Sequence, residues 1–424
     1  MRKRGLVVAL VLVVGVAGYL GVQAYSSHVF EREMTRTLSH LEAQGDWRIV
    51  RDDVERGWFH SRGRIAVSAD AGESPWTLSI PYRASHGVLH TRLHGSLQVL
   101  QSVPGSAETR TLFGDRLTAA RPRWTATVGH LDRRGEVRLD VPAFELTGDA
   151  GRFAFTGAEL DLEGRIDDLR LTGQVSPVRW QRDATELSVG PLYINNRYRL
   201  VDRRRIYHQR NELILDRLEY RSPARAPLTL SNLRYADETR LDDQLRLAVS
   251  LSLAKAALAG QPLLSGHLDL HLERIDGGAV RRLVAAAGAS LQRLGGDPAA
   301  LDDRQRRRLL AELEPRILAL LADSPHLVLE GVSLDSDLLG MSTRGHGELT
   351  FDGRDSRRLS LDALADPARR ETWRRRLDGR FVWFDVPPLV AMQLGLPVSK
   401  DRVVLTVESG RLRLDGRPLS ADLL

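Results

Sequence analysis

The sequence predicts an α+β protein dominated by strands, with one N-terminal transmembrane helix, a long antiparallel β meander and a helical insert. Three observations predict this class. Residues 6 to 25 carry no charged side chain. Many later segments alternate apolar and polar residues, and residues 277 to 323 repeat apolar residues with a helical period. We expect the meander to form a curved sheet or a sandwich.

The N-terminus has the pattern of a membrane anchor behind a basic head, Met1 to Arg4. About 20 apolar residues in a helix, at ~1.5 Å rise each, cross the ~30 Å hydrocarbon core of a bilayer. Arginine and lysine beside such a segment stay in the cytoplasm. We therefore expect a single-pass protein of the bacterial inner membrane, with a cytoplasmic N-terminus and a periplasmic body.

A removed signal peptide is the alternative interpretation of the same residues. Val22-Gln23-Ala24 fits a small-residue cleavage site, although the apolar run exceeds the ~7–15 residues of a signal core. Residues 28 to 45 also continue as a juxtamembrane helix, which favours retention of the anchor. The apolar face of that helix comprises Phe30, Met34, Leu38 and Leu41.

The composition narrows the class of partner. The net charge is +6, and 58 of the 61 basic residues are arginine, which suits either a solvated basic surface or contact with anionic lipid headgroups. Nucleic acid is not an expected partner, because the topology places the body outside the cytoplasm. The chain has no cysteine, so lipid attachment at cysteine and disulfides are both excluded.

The β-rich region begins near residue 46, where the apolar period changes to two. Two strands are expected to join near Gly57. Farther along, residues 245 to 253 place leucine or valine at five alternate positions. Such alternation is typical of antiparallel strands with one apolar and one wet face. The loosely recurring Gly-x-Leu-x-Leu pattern, as at Gly266 and Gly347, suggests repeated meander units.

The helical insert is predicted to contain two helices separated by Gly295 to Pro298. Pro315 should kink or split the second helix, because proline lacks the amide donor. Strands resume after the insert and close in a terminal hairpin. The predicted order is residues 1–27 for head and anchor, 28–45 for the juxtamembrane helix, 46–276 for a β-rich region, 277–323 for the insert and 324–424 for a β-rich C-terminal region.

Three short motifs stand out: an Arg-Gly-Trp-Phe-x-Ser stretch at residues 56–61 after the juxtamembrane helix, a His-Gly pair at residues 86–87, and a closing hairpin with a polar-Gly-x-Pro turn at residues 415–418. Together they resemble the YdgA-like family of bacterial inner-membrane-anchored envelope proteins, a domain-of-unknown-function family. The resemblance implies a single-pass protein with a periplasmic body and no established activity. The motif residues, expected to act in structure or at an interface, are Arg56, Gly57, Trp58, Phe59, Ser61, His86, Gly87, Asp415, Gly416 and Pro418.

Neither a metal site nor a catalytic centre is predicted, and no cofactor is expected. His86, His90 and His94 would share the face of a helix, but residues four apart on a strand lie ~13 Å from each other. Nucleophile-elbow, zinc-protease, phosphate-loop and dinucleotide motifs are absent from the sequence. Trp58 and Phe59 fit either core packing at a tight turn or an aromatic anchor at the membrane interface.

The sequence leaves three functions open, and the first two have more support than the third. The first is a non-enzymatic envelope module that acts through protein partners, and we favour it slightly. The second is an apolar β groove that binds or transfers lipid, by analogy with membrane-tethered AsmA-like proteins. The remote function is a periplasmic hydrolase. Inner-membrane lipids are expected to contact the protein in each case, and the sequence leaves the oligomeric state open.

Overall fold

The computed structural model describes most of the chain after residue 30. The described residues are 31–32, 34–35, 38–39, 42, 47–57, 59–69, 76–102, 109–113, 117, 119–165, 167–202, 206–294, 301–338, 340–364, 366–393 and 402–418. The predicted anchor, residues 1–27, and Trp58 lie outside them. In this described part, no helix is both long enough and apolar enough to cross a bilayer.

The chain divides into two compact units, Met1–Ser176 and Pro177–Leu424. Each is built mainly of antiparallel strands, so the prediction of a strand-dominated chain is confirmed. The boundary between the units falls inside the region 46–276 that the sequence pattern treats as one.

The first unit contains twelve named strands. They are β1 Trp47–Glu55, β2 His60–Ala69, β3 Trp76–His86, β4 His90–Ser96, β5 Gln98–Ser102, β6 Thr109–Thr111, β7 Arg123–Gly129, β8 Arg134–Val141, β9 Phe144–Gly148, β10 Gly151–Phe155, β11 Ala158–Arg165 and β12 Asp168–Val175. β1, β2, β3, β4, β7, β8, β11 and β12 pair in that order, each antiparallel to the next. β5 and β6 extend from β3, and β9 pairs with β10.

One face of the first sheet is covered by a helical segment. The described residues between positions 31 and 42 are helical, and Met34 and Leu38 pack against the buried cluster of the sheet, as the predicted apolar face requires. The buried cluster consists of Ile65, Tyr82, Ala84, Leu93 and Ala126. Its members come from four adjacent strands at alternate positions, which is the pattern of a sheet with one buried face.

The second unit contains the remaining strands and the helices. The strands are β13 Val178–Arg182, β14 Thr185–Val189, β15 Leu192–Asp202, β16 Ile206–Ser222, β17 Arg225–Leu241, β18 Gln244–Leu258, β19 Gln261–Asp276, β20 His326–Ser336, β21 Met341–Phe351, β22 Leu377–Phe384, β23 Arg402–Glu408, β24 Arg411–Leu414 and β25 Arg417–Pro418. The helices are α1 Gly277–Arg293, α2 Asp303–Ala319, α3 Pro367–Arg374 and α4 Pro388–Gln393, with 3₁₀ turns at Ser356–Arg358 and Leu361–Leu364.

The second unit is a meander. From β16 to β25 each strand pairs antiparallel with the next, and β14 and β15 both pair with β16. The helical hairpin of α1 and α2 is inserted between β19 and β20. The predicted insert therefore contains two helices, and α2 continues across Pro315 rather than splitting there.

Local sequence fixes where these helices begin. The Asp276 side chain accepts a hydrogen bond from the Ala279 amide and caps α1. Asp302 and Gln305 form a capping box at α2, with distances of 2.7 and 2.9 Å between the side-chain oxygens and the amide nitrogens.

Candidate functional site

The motif residues of the first unit meet at one end of its sheet. Because neighbouring strands are antiparallel, the β1–β2, β3–β4 and β7–β8 connections lie at the same end of the sheet. The first connection holds Arg56, Gly57 and Phe59, and the second holds Gly87. Glycine is required at Gly57 because an added Cβ would lie 2.6 Å from the His60 carbonyl oxygen.

Phe59 does not pack into the core. The residue is 40% exposed, which fits core packing at a tight turn poorly. The reason is its position in the connection itself, beyond the last buried pair of β2 and β3. The other interpretation, an aromatic anchor at the membrane interface, stays a prediction.

A chain of buried polar side chains lies directly beneath these connections. His86 hydrogen-bonds through Nε2 to the Ser61 hydroxyl at 3.0 Å and through Nδ1 to the Thr91 hydroxyl at 3.2 Å. Thr91 in turn hydrogen-bonds to Nε2 of His130 at 3.2 Å. Ser61, His86 and Thr91 are all buried, so this chain of side chains joins β2, β3, β4 and the β7–β8 connection, where His130 lies.

Burial decides the protonation of this chain. It lowers the pKa of His86 below its ordinary value, although the nearby Glu31 carboxylate opposes the shift. Burial also lowers the pKa of His130. Both imidazoles are therefore neutral at pH 7, and each then offers one donor and one acceptor to the hydroxyl groups around it.

A half-buried ion pair ties the helical segment to β1. Arg51 donates to both Glu31 carboxylate oxygens, at 2.9 and 3.0 Å, and its Nε donates to the Tyr82 hydroxyl at 2.8 Å. Arg56 from the β1–β2 connection approaches Glu31 at 3.3 Å. Burial lowers the pKa of Arg51, but hydrogen bonds to Glu31 and Tyr82 outweigh it and raise the pKa overall.

The C-terminal motif residues lie in the second unit and make a turn. Asp415 and Gly416 have φ of 48° and 80°, which a two-residue hairpin turn requires. The Asp415 carboxylate accepts the Val404 amide at 3.0 Å, and Pro418 ends β25. This motif therefore shapes the closing hairpin.

The second unit contains an apolar groove along its meander. The groove has a volume of about 700 Å³. Its apolar lining comes chiefly from β18, β19, β20, β22, β23 and the segment before α4, and includes Leu251, Leu253, Leu268, Leu334, Trp383 and Val390. Leu251 is 40% exposed and Leu334 39%, so this face of the sheet is not covered by the described residues of the second unit.

Two glycines on β21 make room for aromatic rings on β22, of which Trp383 lines this groove. An added Cβ on Gly345 would lie 2.6 Å from the Trp383 ring, and one on Gly347 would lie 2.3 Å from Phe381. The rings thus lie over bare backbone. The recurring glycine pattern of the sequence reflects this packing at Gly347.

Other predicted candidates are dispersed. Among the described residues, no group of three His, Cys, Asp or Glu side chains is placed to hold a metal ion. The exposed His94 pairs across β3 and β4 with Arg83. The sequence also has three runs of three arginines, at residues 203–205, 306–308 and 374–376. The first run lies outside the described residues, whereas Arg306 and Arg375 form ion pairs with Asp303 and Glu371 at 3.7 and 3.0 Å.

Sequence analysis does not identify several residues that belong to the buried polar chain and to the neighbouring ion pair. They match no motif, and strand register or docking of the helical segment brings them to their partners. These residues are Glu31, Arg51, Tyr82, Thr91 and His130. One signal was available for two of them: Tyr82 and Thr91 occupy alternate positions that point to the same face as the buried residues of their strands.

Comparison with known proteins gives one family. A family model described as "Bacterial protein of unknown function (DUF945)" matches residues 1–360. No curated protein and no solved structure matches the chain.

Proposed function

We propose that this chain, which belongs to the DUF945 family of bacterial proteins of unknown function, is a membrane-anchored envelope protein that binds an acyl chain. The groove of the second unit is the binding site. Residues 6 to 25 are the anchor in the inner membrane, and the body is periplasmic. Within the family we place the chain among the YdgA-like members, because it carries their Arg-Gly-Trp-Phe-x-Ser motif at residues 56 to 61.

One observation carries the acyl-chain proposal: a concave, apolar sheet face that remains open. About 700 Å³ lies within the ~300–1,000 Å³ that is usual for small-molecule sites. Leu251 and Leu334 keep about two fifths of their surface accessible, which is unfavourable unless a ligand covers it. An acyl chain has the matching chemistry, since it offers methylene groups and requires no hydrogen-bond partner.

The anchor supports the same proposal. A protein tethered by residues 6 to 25 works beside a supply of phospholipid, so an apolar groove on its body is close to acyl chains throughout its lifetime. The basic residues Arg2, Lys3 and Arg4 give the orientation with the body outside the cytoplasm.

A non-enzymatic interaction module is the second candidate. The specific observation in its favour is the helical hairpin, where Val284 on α1 and Leu310 on α2 are exposed. Apolar side chains on an exposed helical hairpin suit an envelope protein partner. This function is compatible with the groove, because the two surfaces are built from different residues.

A periplasmic hydrolase receives little support from the geometry. Ser61 and His86 lie at hydrogen-bonding distance, but the serine is 5% exposed and serves the buried polar chain. A nucleophile must reach its substrate. We therefore interpret this serine–histidine pair as a structural contact between strands.

Native mass spectrometry of the full-length protein, purified from its own membranes in mild detergent, tests the proposal. We expect a mass adduct of phospholipid or fatty acid that survives exchange into a second detergent. Protein that is consistently free of lipid in both detergents would contradict acyl-chain binding. A protein adduct in place of lipid would favour the interaction module.

A further inference from the structure

Three exposed apolar side chains lie at the end of the first sheet where the motif residues meet. Phe59, Leu89 and Leu131 are 40%, 59% and 84% exposed, and each occupies a different strand connection. We call these three residues the tip surface. Large apolar side chains on three neighbouring turns indicate a binding surface rather than scattered exposure.

The tip surface is held together from below. The His86 amide donates to the Phe59 carbonyl at 2.7 Å, and the His130 amide donates to the Leu89 carbonyl at 2.9 Å. The side chains of the same two histidines belong to the buried polar chain. The three connections are therefore fixed relative to one another, and little conformational entropy is lost when they bind a partner.

The helical segment shows which way this end of the sheet faces. Its first described residue, Glu31, is bound to Arg51 in the middle of β1 and to Arg56 in the β1–β2 connection, and Glu42 accepts the Ile49 amide at 3.3 Å nearer the start of β1. The segment therefore runs away from the tips. The chain that precedes Glu31 joins the body at the tip end.

Covalent geometry places that end close to the bilayer. Tyr25, the last residue of the apolar run, is six residues before Glu31. Six residues span at most ~20 Å, at ~3.3–3.6 Å each. If residues 6 to 25 cross the membrane, the tip end cannot lie far from its surface.

The charge around the tips suits phospholipid. Arg133 and Arg134 stand beside Leu131, both exposed, and neither has a side-chain ion pair among the described residues. The one acid of that turn, Asp132, accepts the Arg134 backbone amide at 3.1 Å. Guanidinium groups bind phosphate oxygens in a forked geometry, and apolar side chains between them enter the acyl boundary.

We propose that the tip surface inserts into the periplasmic leaflet of the membrane that holds the anchor, with Arg133 and Arg134 on lipid phosphates. The inference rests on the anchor of the proposed function but not on the groove. It gives the motif residues a physical role, because Gly57, Ser61 and His86 shape the first two connections and link them, and Thr91 and His130 extend the link to the third.

The absence of cysteine allows a direct test on the full-length protein. Single variants Leu89→Cys and Leu131→Cys are labelled with the environment-sensitive dye NBD and reconstituted in vesicles of phosphatidylethanolamine and phosphatidylglycerol. The matched control is Val50→Cys, an exposed apolar position on β1 that is six residues, or ~20 Å, before Arg56.

We expect NBD at positions 89 and 131 to shift to the blue and to lose emission when the vesicles contain lipids brominated near the headgroup. The control position should do neither. Blue-shifted emission without quenching by brominated lipid would mean that protein covers the tips, which would overturn the proposal, as would tip positions that behave like position 50.

A carbonate wash of the same vesicles distinguishes failure of the membrane anchor from failure of the tip surface alone. Protein that is released at alkaline pH is not anchored, and the proposed function then fails together with this inference. Protein that stays in the vesicles while its tips remain in water refutes the tip surface alone.

Discussion

Opening the groove to water at two positions should weaken acyl-chain binding by an amount that the structure fixes. The variant Leu251→Ser, Leu334→Ser removes two lining side chains that are 40% and 39% exposed. A bound chain would cover that remaining surface. Full burial of leucine contributes about 1.5–3 kcal/mol, so two fifths of it contributes about 0.6–1.2 kcal/mol at each site.

The two sites together contribute about 1.2–2.4 kcal/mol, which is about an 8- to 60-fold change in dissociation constant. Displacement of a fluorescent fatty acid from the full-length protein in detergent measures it. The first control is Leu338→Ser, which removes an exposed leucine that does not line the groove. The second is Leu251→Met, Leu334→Met, which should keep wild-type affinity because the apolar surface is retained.

The serine variants also lose the buried part of each side chain, so their thermal unfolding must be recorded alongside binding. The comparison is made at a temperature where all variants are folded. An unchanged dissociation constant in the folded double serine variant would contradict acyl-chain binding in the groove, because it would mean that no ligand covers Leu251 and Leu334.

Three further predictions concern the polar cluster and the glycines. Glu31→Gln leaves the half-buried Arg51 without its charge partner and should cost about 1.5–3 kcal/mol in urea unfolding, whereas the exposed Glu55→Gln should change little; equal effects would contradict the contribution of the Glu31–Arg51 pair. Burial lowers the pKa of His86 in the folded state, so its contribution to stability is complete above the unfolded pKa of about 6.5 and is lost as pH falls below it; His86→Gln should flatten this acid loss, and an unchanged pH profile would argue against it. Gly345→Val should displace the Trp383 ring, change tryptophan emission and destabilise the protein by about 1–3 kcal/mol, and unaltered emission and stability would show that the ring has room.

The sequence predicts most of the strands because their signals are local. The alternation over residues 245 to 253 lies in β18, and the turn expected near Gly57 separates β1 from β2. Asp415 and Gly416 form the hairpin turn that their residue types favour. In each case a few neighbouring residues carry the whole signal.

The cluster was not predictable, because it depends on register. Ser61 and His86 are 25 residues apart and meet only because β2 pairs with β3 so that His60 faces Ser85. A shift of one residue would turn one of them to the other face of the sheet. The ion pair between Glu31 and Arg51 depends similarly on how the helical segment docks.

The sequence predicts the apolar face that lines the groove, but not whether that face is covered. Period-two alternation indicates an apolar face, and β18 carries one. Whether another element covers that face is a tertiary property, and the same pattern serves a closed sandwich and an open groove. Only the three-dimensional structure gives the exposure of Leu251 and Leu334 on this face, 40% and 39%.

Photocrosslinking in the native membrane shows directly whether an acyl chain occupies the groove. Cells are fed a fatty acid with a diazirine near its methyl end, the full-length protein is irradiated in its native membrane, and crosslinked peptides are sequenced. The account predicts crosslinks on the groove-lining residues of β18, β19 and β20. Crosslinks confined to residues 6 to 25 and to the tip surface would contradict it, because the acyl chains would then touch the anchor and the tips but never enter the groove.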